Sequence, residues 1–232
     1  MSNLHPHKTA VLLFTRTPEE EIVHKSLIPT STEKSLRVVA QSIQYVQQEV
    51  RKANLPLYTA YSTHQQGNSF GERLANEVEK VVLKGYEHVI ILGNDCLQVT
   101  ATLLKQAVYR GEQGKNVVGP AKDGGLYLIH FHKKQFDKQQ FEELPWETAS
   151  LYDAFLNYLT PNSAIQLLRV FEDIDHAAQL LAITVKLTAG HLLKEWFLKL
   201  FNPPVRWLEM GIAPFAQLHL FLPRQLLAPP TV

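Results

Sequence analysis

The 232 residues are 45% hydrophobic and 19% charged, which excludes a disordered chain and suffices for one well-buried domain, with or without an appendage. Lys and Arg total 23 against 22 Asp and Glu; the formal charge of +1 lacks the basic excess of a polyanion-wrapping protein, so nucleic acid is not an expected partner. A lone cysteine, Cys96, excludes a disulfide scaffold, and no apolar run approaches the roughly 20 residues that cross a bilayer.

Met1 to Lys8 lacks the apolar core of a secretory signal, so the expected location is the cytoplasm. Thr9 to Phe14 is an apolar run of strand length, and the polar stretch from Thr15 to Ser31 reads as a loop. Thr30 and Glu33 have capping-box spacing. Leu36, Val39, Ala40, Ile43, Val46 and Val50 then recur at helical spacing, and Pro56 stops the helix near Asn54. Leu57 to Tyr61 is a second strand. Ser69 and Glu72 form another capping box, Leu74, Val78, Val81 and Val82 make the next helical face, and Gly85 ends it. His88 to Leu92 is a third strand, apolar enough for burial on both faces, followed by the turn Gly93-Asn94-Asp95 and a helix from Thr100 to Arg110.

Three strand–helix alternations predict a three-layer α/β/α domain around a mostly parallel sheet, with ligands beyond the carboxyl ends of the strands. The segments 15–31, 62–70 and 93–99 occupy that edge. Further strands are expected at Asn116–Gly119, Leu126–Phe131 and Ile165–Phe171, with helices at Ala149–Leu159 and Asp175–Ile183. The domain is taken as residues 1–186. Residues 187–232, aromatic and then proline-rich, read as an appendage packed on the domain or on a second copy.

Asp95 follows the most apolar strand, where a carboxylate can hold a hard cation bridging phosphates or simply cap the next turn. Asp123-Gly124-Gly125 is either a close-approach loop or a β-turn. In Asp173-Ile174-Asp175, alternate spacing puts both carboxylates on one side of an extended segment, where they can serve a metal or a sugar hydroxyl; the other reading is Asp175 as a helix N-cap, favoured for that residue, with Asp173 solvated. His130 and His132 share a strand face, but with no third ligand in local spacing they read as partly exposed strand residues rather than a metal site. Cys96 reads as a buried small residue.

Taken together, these segments resemble a bacterial family of small glycosyltransferase-A-like proteins, often described as uncharacterised nucleotide-diphospho-sugar transferases. The stretches that carry the resemblance run in order. They are Phe14-Thr15-Arg16-Thr17-Pro18 through Lys25-Ser26-Leu27, Gln66-Gly67 through Gly71-Glu72-Arg73-Leu74, and Gly93-Asn94-Asp95-Cys96. Val118-Gly119-Pro120 through Asp123-Gly124-Gly125, Leu144-Pro145-Trp146-Glu147-Thr148 and Asp173-Ile174-Asp175 complete the set, which spans roughly residues 9–183. The chain departs from the pattern at Glu21, His24 and Ser26, where the family presents Gly, Lys and Arg to phosphate, and at Leu97 and Leu126.

The resemblance implies a glycosyltransferase that uses a nucleotide-diphospho-sugar donor, an acceptor of unspecified chemistry, and Mg²⁺ or Mn²⁺. It implies Asp95 as metal ligand and Asp123 as catalytic base or second ligand. It further implies Arg16, Lys25, Arg73 and Asn94 as nucleotide-binding residues, and Gly124, Gly125, Trp146 and Glu147 as substrate-binding residues. Trp146 can equally be a core residue. The alternatives are a nucleotidyltransferase acting on a nucleoside triphosphate, or a non-catalytic binding protein derived from the enzyme fold. Self-association is expected through the C-terminal segment.

Overall fold

The computed structural model describes residues 7–25, 27–159, 164–187 and 191–201. Two compact units divide after His176. The first is built on a six-stranded sheet: β1 (Thr9–Thr15), β2 (Leu57–Tyr61), β3 (His88–Leu92), β4 (Lys115–Pro120), β5 (Leu126–His132) and β6 (Ala164–Leu167). Their spatial order is β2-β1-β3-β5-β4-β6. β5 alone runs against its neighbours, so the sheet is mostly parallel. The helices of this unit are α1 (Pro18–His24), α2 (Thr32–Lys52), α3 (Phe70–Leu83), α4 (Ala101–Glu112), α5 (Lys138–Glu142) and α6 (Leu151–Leu159).

Alternation along β1 and β3 assigns the two faces of the sheet. Ala10, Leu12, Val89 and Ile91 join Leu74, Val78 and Val81 of α3, Phe141 of α5 and Phe155 of α6 in one buried cluster. Val11, Leu13, Ile90 and Leu92 point to the opposite face, where buried Val39, Val46 and Val50 of α2 and Leu104 of α4 provide the cover. The result is the three-layer α/β/α arrangement that the sequence rhythm predicts.

The helix ends follow local chemistry. Ser69 caps α3 by accepting from the Glu72 amide at 3.0 Å, while Glu72 Oε2 accepts from the Asn68 amide at 2.7 Å. α2 is capped by Ser31, one residue past the expected Thr30, with the Ser31 side chain accepting from Lys34 N at 3.2 Å. It ends at Lys52, and Asn54 takes up the left-handed conformation (φ 59°) that a helix C-terminus often needs. The polar stretch after β1, expected as a loop, contains α1. Thr17 caps it, Pro18 sits in its first turn and three glutamates follow, a combination that favours a helix N-terminus. β6 is shorter than expected, and a single bridge from Phe171 to Ala121 replaces its second half.

The second unit contains α7 (Ala177–Lys186) and α8 (Leu192–Phe201). Leu180, Ile183, Leu193 and Phe197 are buried. Lys194 Nζ donates to the carbonyls of Val185 and Leu187 at 3.1 and 2.7 Å, satisfying the exposed end of α7. The proline-rich stretch expected beyond residue 201 lies outside the described residues. No described helix is long and apolar enough to cross a membrane.

One contact between neighbouring helices is tight enough to test. A Cβ on Gly71, in the first turn of α3, would meet the Glu142 carbonyl oxygen and approach Trp146 Cδ1 to 2.7 Å. Gly71→Ala is expected to lower stability by about 1–3 kcal/mol through overpacking. Urea denaturation measures this, and an unchanged midpoint would show that α3 and α5 do not meet so closely.

Candidate active site at the carboxyl edge of the sheet

A cleft of about 480 Å³ opens where β1, β2 and β3 end, with Arg16, Gln65, Arg73, Asp95, Trp146 and Asp173 in its lining. This is the edge at which parallel strands leave backbone and loop groups free for ligands. Gln65 fastens its floor by donating to the carbonyls of Thr15 and Ala60 at 3.2 and 2.9 Å. Ser62 Oγ accepts from the Thr17 amide at 3.1 Å, which holds the start of α1 against the end of β2.

Lys25 organises the charges. Its side chain is 8% exposed, and its ammonium lies 3.0 Å from Glu21 Oε1, 3.0 Å from Asp95 Oδ2 and 3.2 Å from Asp175 Oδ1. It also donates to the Ile174 carbonyl at 3.0 Å. Burial alone would push the Lys25 pKa down, but the charges of Asp95, Glu21 and Asp175 carry it above its ordinary value. Burial would likewise raise Asp95, yet the adjacent Lys25 ammonium holds that carboxyl below the usual carboxylate range. Glu21 is buried, and its second oxygen pairs with Arg16 at 3.3 Å. Arg16 also reaches Glu147 at 3.1 Å.

Asp173 is the opposite case. Its Oδ1 is buried without a hydrogen-bond partner, and burial together with the charges of Asp95 and Asp123 pushes its pKa up to about 8. Far from being solvated, Asp173 lines the cleft. Asp175 is not a helix cap: α7 begins two residues later, and the carboxylate turns to Lys25. Cys96 is buried, and burial raises its thiol pKa.

Among the sequence candidates, Arg16, Lys25, Asp95 and Glu147 are joined by ion pairs through Glu21 and Arg16. Asn94, largely buried, lines the cleft with Arg73, Gly125 and Trp146. The Arg73 guanidinium has no ion-pair partner among the described residues. Trp146 is fixed by a hydrogen bond from Nε1 to the Phe141 carbonyl (2.8 Å) and by ring contacts with Phe70 and Phe141 at 5.7 and 4.9 Å. It is therefore packed and cleft-facing at once.

Asp123 and Gly124 are not part of the lining. Asp123 is exposed, and its Oδ1 accepts from the Gly125 amide at 2.9 Å, closing an Asx-type turn. Gly124 has φ +90° and lies against the Ala149 carbonyl, which gives it a structural reason to be glycine. Ser26 falls outside the described residues. Asp173, one of the carboxylate pair that the sequence offers to a metal or a sugar hydroxyl, is in the lining, whereas Glu21 is the group that sequence reasoning left out of the site; the readable sign for Glu21 was its place four residues before Lys25 in a capped helix.

The arrangement defines a mixed α/β protein with the fold of nucleotide-diphospho-sugar transferases. A candidate nucleotide-diphospho-sugar transferase from Desulfovibrio desulfuricans G20 aligns with TM-score 0.71 at 20% identity, covering 83% of this chain and 95% of that one. Rv0371C from Mycobacterium tuberculosis H37Rv, solved with manganese, aligns at TM-score 0.45 and 13% identity over 75% of this chain and 96% of that one. CMP:2-keto-3-deoxy-manno-octonic acid synthetase complexed with CTP gives 0.39 and 11%, over 75% and 96%. At those scores the last two carry no argument here. No curated protein matches the sequence.

The chain belongs to the family described as "Uncharacterized protein conserved in bacteria (DUF2064)", whose profile matches residues 31–148. That span contains Asp95, Asp123 and Trp146; Lys25 and Asp173 lie outside it.

Two outcomes follow from this electrostatic arrangement. Lys25→Met leaves the carboxylates of Glu21, Asp95 and Asp175 without their shared cation and should cost about 3–5 kcal/mol in chemical denaturation. A loss below about 1 kcal/mol, the scale of an exposed ion pair, would refute the central role of that ammonium. For Asp173, the folded carboxyl keeps its proton up to about pH 8, whereas an unfolded one releases it near its ordinary value of 3.8. Between those limits the folded state binds more protons, so stability falls as pH rises. Asp173→Asn should flatten the decline in denaturant midpoint from pH 5 to pH 8; an unaltered slope would place the titration elsewhere.

Proposed function

We propose that the cleft binds a nucleotide-diphospho-sugar with a divalent cation and transfers the sugar to a hydroxyl-bearing acceptor. The observation that carries this reading is the juxtaposition of Asp95, at the tip of β3 with 31% of its side chain exposed, and the partnerless oxygen of Asp173 in the same cleft. Carboxylate oxygens suit a hard cation, and a buried oxygen with no donor is the kind of group that such a cation satisfies. The residues therefore fit Mg²⁺ or Mn²⁺, with Asp95 and Asp173 holding it. When bound, it would neutralise charge on the departing nucleoside diphosphate.

The protein's own groups account for the rest. Arg73, whose guanidinium has no ion-pair partner among the described residues, binds the diphosphate, and Arg16 joins it when Glu147 releases its exposed pair. Glu21 is committed to Lys25 and Arg16, so this member of the acidic run does not present an unpaired charge to the phosphates. Asn94 and Gly125 shape the floor, and Trp146 offers a fixed aromatic surface to a sugar. The acceptor oxygen forms a bond to the anomeric carbon as the bond to the diphosphate oxygen breaks. The hydroxyl proton passes to Oδ2 of Asp123, which stands outside the lining but at its edge, two residues before the cleft-lining Gly125 and near enough for its charge to act on Asp173. In the same reading the protein is cytoplasmic, residues 187–232 are an appendage to the catalytic unit of residues 1–186, and copies associate through that appendage.

A thermal-shift panel of UDP-, GDP- and CDP-sugars and nucleoside triphosphates, each with and without Mn²⁺, tests the reading. Stabilisation by a diphosphosugar that requires Mn²⁺, is lost in Asp95→Asn and weakens at least tenfold in Arg73→Gln is the expected result. A shift with triphosphates alone would make the protein a nucleotidyltransferase. No shift with any nucleotide would leave a non-catalytic binding protein.

A further inference from the structure

At the opposite pole of the sheet, where β3 begins and β5 ends, a second cleft of about 530 Å³ is lined by Glu87, His88, His132 and the lysines 8, 115 and 134. The antiparallel register sets His88 directly opposite His132, and Ile90 opposite His130. Directly paired residues project from the same face, so all three imidazoles gather on one side of the sheet. His88 stacks on His130 at 5.2 Å and meets His132 edge-on at 4.8 Å. His88 and His130 are 7% and 0% exposed, so His130 is not the partly exposed strand residue its sequence position suggests. His88 Nδ1 and both nitrogens of His130 are buried without a hydrogen-bond partner. An orphaned buried nitrogen is costly, and ligation is one way to satisfy it.

One ligand atom from each of Glu87, His88 and His132 lies within 4.8 Å of the other two. We infer that Glu87, His88 and His132 form a site for a borderline transition-metal ion of the Zn²⁺ class, separate from the carboxylate site at the other edge of the sheet. Two imidazoles and one carboxylate are a donor set that Zn²⁺ accepts, leaving a fourth position for water or an anion. Tetrahedral Zn²⁺ holds its ligand atoms roughly 3.4 Å apart, so the three groups close by about an ångström on binding.

Competing partners of the other two ligands are weak. Glu87 pairs with Lys8 at 3.5 Å, both side chains well exposed. His132 Nδ1 accepts from the Lys134 amide at 3.0 Å, the cap of the short 3₁₀ turn Lys133–Gln135. A metal on Nδ1 displaces that amide; a metal on Nε2 moves the ring proton to Nδ1 and breaks the same bond. Either route gives up one exposed hydrogen bond, a penalty of roughly fivefold in affinity, and frees the amide of Lys134.

The test uses the intact protein, stripped with a chelator and titrated with Zn²⁺, then with Co²⁺ as a spectroscopic substitute. The expected result is one equivalent of Zn²⁺ bound with micromolar or tighter affinity, a Co²⁺ absorption typical of a four- or five-coordinate site, and faster hydrogen exchange at Lys134. Glu87→Gln and His132→Gln, both at partly exposed positions, should each weaken binding at least tenfold. Asp95→Asn should leave it unchanged. Absence of Zn²⁺ binding in this range, or equal affinity in Glu87→Gln, His132→Gln and the parent, overturns the site. Because Asp95→Asn separates the two poles, failure here leaves the nucleotide-sugar reading standing, and the reverse also holds.

Discussion

A lysine ammonium with almost no access to water must be surrounded by oxygen, and the cleft is assembled around that requirement. Lys25 gathers Glu21 from α1, Asp95 from the turn after β3, and Asp175 with the Ile174 carbonyl from the segment after β6. These come from parts of the chain about 70 and 150 residues away from Lys25 as well as from its own helix. Removing either sign of charge leaves the other stranded in a poorly solvated place. The ammonium therefore decides where Asp95 points, how far α1 lies from the strand tips, and where the chain runs after the sheet.

The network also sorts the carboxylates by protonation. Asp95, beside the cation, stays ionised, whereas Asp173 in the same cleft lacks a donor and keeps its proton. Burial raises both acids; the Lys25 ammonium bonded to Asp95 more than offsets it there, whereas at Asp173 the charges of Asp95 and Asp123 add to it. Such a separation is the usual basis for dividing roles between acidic groups in a site, and here it distinguishes a permanent anion from a group that becomes one only when a cation or a higher pH favours it.

Much of the architecture was legible in local patterns. β2 and β3 have the bounds that their apolar runs predict, and Ser69 caps α3 where the spacing placed it. α1 was missed because a search for apolar periodicity cannot find a helix whose one buried side chain is a glutamate. The site was legible only in part. Asp95 could be placed at the edge of the sheet from the strand that precedes it. Its ion pair could not, since nothing in the sequence near Asp95 points to a lysine 70 positions away. The histidine cluster has the same character. His130 and His132 were visible as a pair, but His88 joins them through strand register, a property of the folded sheet.

The manner in which α1 is attached has a mechanical meaning. Val23 is largely exposed, Ile22 is half-buried and Glu21 is the helix's single buried residue, so α1 is moored by ion pairs and the Thr17–Ser62 hydrogen bond more than by an apolar face. Greasy contacts are indifferent to small solutes, but a mooring made of Arg16 and Lys25 is open to exchange. Of those two cations only Arg16 lines the cleft, and in the proposed reading an incoming diphosphate competes with its carboxylate partners for it. On that reading the helix beside the cleft is coupled to cleft occupancy through a swap of counter-charges, with no hinge required in the sheet below.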